Sequence, residues 1–137
     1  MRSLGFAIAI TMTFGLAGCG QKSETTINGT VKFQNKPVYG GYVLLTFDDN
    51  NQAQGSITLD GAYSITTPFL GHAKIAVGSP KPSKPDNTGR GPSTSDPSMI
   101  PDPEKWFEIP VKYADPGTSG KDMTVQGGKN QFEIVLE

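Results

Sequence analysis

Asp60-Gly61 sits between two runs of alternating apolar residues, Gly55–Leu59 and Ala62–Thr66, and this arrangement constrains the fold more than any other feature of the chain. A two-residue Asp-Gly loop between alternating segments closes a β-hairpin, because glycine takes φ > 0 without steric penalty and the resulting turn follows the twist of the strands. Ile57 and Leu59 on one strand and Tyr63 and Ile65 on the other then share one face, the face that needs a core. The 17 glycines and 11 prolines among 137 residues leave little room for long helices elsewhere and supply further turns.

The same alternation recurs along the chain. Thr26–Phe33 carries Ile27, Val31 and Phe33 among polar residues, with Gly29 marking a bulge or a close backbone approach, and Asn35-Lys36-Pro37 turns the chain. Tyr42–Phe47, with its doubled Leu44-Leu45, reads as a central strand buried on both faces. His72–Val77 places Ala73, Ile75 and Val77 at period two, and Asp122–Val125 and Gln131–Leu136 are joined by Gly127-Gly128-Lys129-Asn130. Seven short strands at this spacing predict an all-β chain, a seven-stranded antiparallel β-sandwich.

Residues 79–108 interrupt the pattern. Pro80, Pro82, Pro85, Pro92, Pro97, Pro101 and Pro103 fall there, and apolar side chains are nearly confined to Met99 and Ile100 until Trp106 and Phe107. Ordering such a segment costs ~1–2 kcal/mol per residue of backbone entropy with little burial to offset it. The expectation is a mobile, exposed excursion from one end of the sandwich, with Trp106 and Phe107 folding its returning end back onto the sheet.

The N-terminus has the layout of an export signal: Arg2, an apolar run from Leu4 to Leu16, then the small residues Ala17 and Gly18 before the single cysteine, Cys19. The run is shorter than the ~20 apolar residues of a spanning helix. Leu16-Ala17-Gly18-Cys19 resembles the lipobox of bacterial lipoproteins, in which the cysteine thiol takes a diacylglyceryl group and the new amine is acylated. That resemblance implies a signal peptide at residues 1–18, a flexible tether at 19–25, and a β-sandwich at 26–137, anchored to a membrane through Cys19. Gly20 is not the aspartate that commonly retains lipoproteins in the inner membrane, so an outer-membrane location in the cell envelope is expected.

A formal net charge of −1 without a concentrated basic patch argues against a nucleic-acid partner. The single His72 leaves the multi-histidine catalytic and zinc sets incomplete, Cys19 is committed to lipid, and no Gly-x-Ser-x-Gly elbow occurs. No enzymatic activity, no cofactor and no metal are therefore expected. Asp48-Asp49-Asn50-Asn51 starts like a calcium loop but lacks its glycine and closing glutamate, and reads better as a hydrated turn. An internal amide bond between Lys32 and Asn130 would need a buried acid beside it, for which no good candidate exists. Trp106, Phe107 and Tyr113 are the candidate ligand contacts, as a stacking surface for sugar rings.

The succession Gly29-Thr30-Val31, Asn35-Lys36-Pro37-Val38, a strand ending in Phe47, and Asp60-Gly61-Ala62-Tyr63-Ser64-Ile65 resembles carboxypeptidase regulatory-like domains, which are transthyretin-like (prealbumin-like, Ig-like) sandwiches. The run Ile109–Gly120, followed by Gly127-Gly128-Lys129-Asn130, is similar to small planctomycete lipoproteins carrying that domain. The resemblance implies a fold and no settled activity. The expected role is a non-catalytic, lipid-anchored envelope module with a structural or binding task; the alternatives are a carbohydrate-binding module for polysaccharide recognition or uptake, and an accessory domain of an envelope enzyme complex.

Overall fold

The structure is a computed structural model that describes residues 23–82 and 102–137. Cys19, its lipobox Leu16-Ala17-Gly18, and most of the Pro-rich insertion lie outside the described residues. Nine strands follow in chain order: β1 (Thr25–Phe33), β2 (Lys36–Pro37), β3 (Gly41–Phe47), β4 (Gln52–Ile57), β5 (Ala62–Thr67), β6 (Gly71–Gly78), β7 (Lys121–Val125), β8 (Lys129–Gln131) and β9 (Ile134–Leu136), with a 3-10 turn at Val111–Ala114 before β7. They form one curled sheet in the order β2-β1-β5-β4-β3-β6-β7, and β8 and β9 also pair with β1. The chain is all-β, as expected.

The curl happens at the Asp60-Gly61 hairpin. β4 and β5 share one ladder position, Ile57 opposite Tyr63, beyond which regular pairing stops although Gly55 still lies against the Ser64 carbonyl. The half built on β3, β4, β6 and β7 therefore folds over the half built on β1, β5, β8 and β9. Ile27, Val31 and Ile65 from one half meet Val43, Leu45, Ile75 and Val125 from the other in a single buried cluster. Burying each such aliphatic side chain contributes roughly 1.5–3 kcal/mol, which makes this two-layer contact the main source of stability.

Three details differ from the sequence reading. The strand count rises from seven to nine because Lys36–Pro37 adds a short edge pairing and Gln131–Leu136 breaks at Phe132-Glu133 into β8 and β9. Both of these run parallel to β1, Asn28 opposite Gln131 and Val31 opposite Ile134, so the sheet is not wholly antiparallel. Gly29 permits this: a Cβ there would stand 1.8 Å from the Phe132 carbonyl oxygen, and the Tyr63 hydroxyl donates to that same oxygen at 2.7 Å. Leu44 is half-buried while Leu45 is fully buried, because β3 is central in its layer but that layer has a solvent face. Leu59 is likewise half-buried, lying just past the end of β4.

The register sorts the connections to two ends. Thr25 pairs with Thr67, Thr26 with Lys129, Phe47 with Ala73, and Gly71 with Val125. The start of β1 thus shares an end with the turns at 48–51, 68–70 and 126–128. At the opposite end lie the turns at 34–35 and 58–61, the start of the Pro-rich insertion after Gly78, and its return near Phe107, which stacks on Phe33 with ring centroids 6.2 Å apart.

Candidate functional site

An open groove of about 920 Å³ runs across β4, β5, β1 and β8. Its side chains are the outward members of alternating strands: Asn28 and Thr30 from β1, Gln54 and Ser56 from β4, Ser64 from β5, and Gln131 from β8. All six are uncharged amides or hydroxyls that can both donate and accept hydrogen bonds. Two glycines keep the strands close: a Cβ at Gly55 would lie 2.3 Å from the Ser64 carbonyl oxygen, as one at Gly29 would meet Phe132. Tyr63 lines the groove while remaining buried, and burial pushes its phenol up to about 12. The one acid in the lining, Glu133, is paired with Lys32 at 2.5 Å. At the mouth of the hairpin the Thr58 hydroxyl donates to the Asp60 carboxylate and holds it below its usual pKa.

The aromatic residues proposed from sequence do other work. The Trp106 indole N–H points to the Ser79 carbonyl oxygen at 3.1 Å and the Ser79 hydroxyl at 3.2 Å, and the Asp102 amide donates to the Tyr39 hydroxyl at 2.8 Å. Both ends of the insertion are thereby fastened to the sandwich. Phe107 is half-buried on Phe33, and the Lys81 ammonium stands 5.9 Å from the Trp106 ring centre. Tyr113 is only 3% exposed, so it has no free ring face for a ligand, which corrects the expectation for that residue. Its hydroxyl donates to the Glu137 carbonyl oxygen and accepts from the Glu137 amide.

The segment around Tyr113 is a structural buckle. The Thr118 hydroxyl donates to the Lys112 carbonyl at 2.7 Å, the Gly117 amide to the Asp115 carboxylate at 2.7 Å, and the buried Ser119 hydroxyl to the Ile75 carbonyl. Gly120 then takes φ = 65° to start β7. Asp115, Thr118 and Ser119 thus each satisfy a backbone group, which accounts for them without a ligand.

His72 is held between two acids, Asp48 from the turn after β3 and Asp122 from β7. Its Nδ1 lies 3.0 Å from Asp48 and its Nε2 3.0 Å from Asp122. Two carboxylates at hydrogen-bond distance favour the doubly protonated ring, so Asp48 first and Asp122 second hold its pKa above 6.5. With both nitrogens engaged, neither is free to act as a base. Asp49 bonds Asn51 within the same turn. Lys32 and Asn130 do not meet: the Asn130 amide is closed on the Gln126 backbone.

The sequence contained a signal for the groove that the aromatic search passed over. Along β1, β4, β5 and β8 the exposed positions beside the groove are Asn, Gln, Ser and Thr, where solvent-facing strands ordinarily carry Lys and Glu as well. What alternation alone does not reveal is that these strands line one shared concavity.

No protein-family model matches the chain, and no curated protein matches it. Among solved structures, the crystal structure of a DUF3823 family protein from Parabacteroides merdae ATCC 43184 is similar at 11% identity, with a TM-score of 0.43, over 82% of this chain and 45% of that one. This chain thus spans less than half the length of that protein, and at such a TM-score the likeness adds nothing to the fold described above.

Proposed function

We propose that the chain is a non-catalytic, lipid-anchored binding module of the bacterial cell envelope, of the lipoprotein kind that its N-terminus and its transthyretin-like resemblance suggest, and that its ligand is a neutral, hydroxyl-rich one, a glycan. The observation that carries this reading is the groove lined by Asn28, Thr30, Gln54, Ser56, Ser64 and Gln131. A neutral ligand rich in hydroxyls exchanges donors and acceptors with amides and hydroxyls without either side having to desolvate a charge. A phosphate or a carboxylate would find no cation in that lining, and Lys32, outside it, is already engaged by Glu133. In this reading sugar recognition belongs to the groove on β1, β4, β5 and β8 and not to the Trp106 region.

A glycan array probed with the Cys19→Ala chain tests the reading. Neutral oligosaccharides are expected to bind, with affinity independent of salt because no ion pair forms. Gln54→Ala with Gln131→Ala should abolish binding while Trp106→Ala leaves it unchanged. No binding, or binding insensitive to the double substitution, rejects the groove. The anchor is tested separately: the Cys19→Ala chain should leave the membrane fraction, and one that stays there and is processed normally rejects the lipoprotein reading.

A further inference from the structure

We infer that the sandwich rests on the bilayer through the turn Pro68-Phe69-Leu70, so that the Trp106 end and its Pro-rich insertion face away from the membrane. The inference rests on the lipid-anchor reading above. From Cys19 to Thr25 is a chain of six steps, which spans at most about 20 Å when fully extended. The end of the domain that carries Thr25 is therefore held against the surface to which Cys19 is attached. That end carries a solvent-facing apolar side chain: Leu70 is 57% exposed at the tip of the turn joining β5 to β6.

The turn is built to hold Leu70 outward. Phe69 packs edge-on against Phe47 with centroids 5.7 Å apart, its amide donates to the Thr67 hydroxyl at 3.1 Å, and Gly71 takes φ = 105° to enter β6. Folding Leu70 inward would require displacing Phe69 from that contact. An apolar side chain on a rigid tip, facing a surface less than a tether's length away, gains by entering the headgroup–acyl boundary.

The full lipidated chain, reconstituted in vesicles of zwitterionic lipid with brominated acyl chains, provides the test through its single tryptophan. In the parent protein Trp106 fluorescence should be quenched little. In Leu70→Trp on a Trp106→Phe background, the indole at position 70 should lose more than half its emission. Equal weak quenching at both positions, with Cys19 shown by mass spectrometry to be acylated, overturns the docking and leaves the anchor standing. An unacylated Cys19 overturns both. If position 70 escapes quenching while the vesicle-bound chain crosslinks to itself there, the turn is a contact between copies and the membrane assignment is wrong.

Discussion

The Tyr113 hydroxyl closes on the backbone of Glu137 from both sides, donating to its carbonyl oxygen at 2.5 Å and accepting from its amide at 3.0 Å. One phenol thus fastens the end of β9 to the 3-10 turn that precedes β7. Tyr113→Phe preserves the ring and its packing while leaving both Glu137 groups without this partner. At roughly 0.5–1.5 kcal/mol per hydrogen bond, the expected loss is about 1–3 kcal/mol, measured by denaturant unfolding with an unchanged m-value. A variant as stable as the parent would mean that the buckle contributes nothing to holding β9.

Gly29→Ala is expected to be far more damaging. Its methyl would collide with the Phe132 carbonyl oxygen and with the edge of the Tyr63 ring, and the backbone on neither side can yield without giving up the pairing of β1 with β8. The loss should reach about 3 kcal/mol or more, at or beyond the upper range for overpacking. Gly127→Ala, which meets no atom within 4 Å and needs no positive φ, is the control and should change stability by less than about 0.5 kcal/mol. Equal effects at the two glycines would contradict the close approach of β1 and Phe132.

Protonation of His72 should stabilise the fold in acid. Its folded-state pKa is raised above 6.5 by Asp48 and Asp122, so the folded state holds the proton more tightly than the unfolded chain. The contribution is fully present below about pH 6.5 and is lost as pH rises through the raised value. Melting temperatures of the parent and of His72→Gln, followed across that window, should differ most on the acid side and converge above it, with the difference shrinking in high salt because all three groups are exposed. A gap that widens with rising pH would reverse the assignment.

Trp106→Phe removes the indole donor to Ser79 and keeps an aromatic ring at the neck of the insertion. Because the contact is part-buried, the expected cost is below about 1 kcal/mol. Hydrogen exchange should rise at the neighbouring amides and stay unchanged in β3. Faster exchange throughout β3 would place Trp106 in the global core.

The hairpin at Asp60-Gly61, the alternating strands and the close approach at Gly29 were legible because each depends on local chemistry: a turn needing φ > 0, a period of two, a missing side chain. The inward positions of β1 and β6 followed directly. The break at Phe132-Glu133 was not legible, since Gln131–Leu136 alternates well enough for one strand and the reason for dividing it is a carbonyl received by Gly29 a hundred residues earlier. Tyr113 misled for a related reason. An aromatic beside prolines looks exposed until the backbone of Glu137, distant in sequence, arrives to satisfy its hydroxyl. The groove needed the same long-range knowledge: six neutral polar side chains on four strands, brought around one concavity only after the sheet has curled.

Because β1 has β5 on one side and β8 and β9 on the other, the strand that leaves the ribosome before its neighbours is also the one whose second edge is filled by residues 129–136. Val31 and Ile134 are about a hundred positions apart, a loop that must close before their contact can reward it. The layer of β3, β4 and β6 can assemble from neighbouring hairpins while synthesis continues, whereas β1 waits with a bare row of amides and carbonyls. Maturation of this domain is thus gated by the arrival of its most distal segment, and a nascent chain halted before residue 129 would present an open strand edge prone to pairing with another copy.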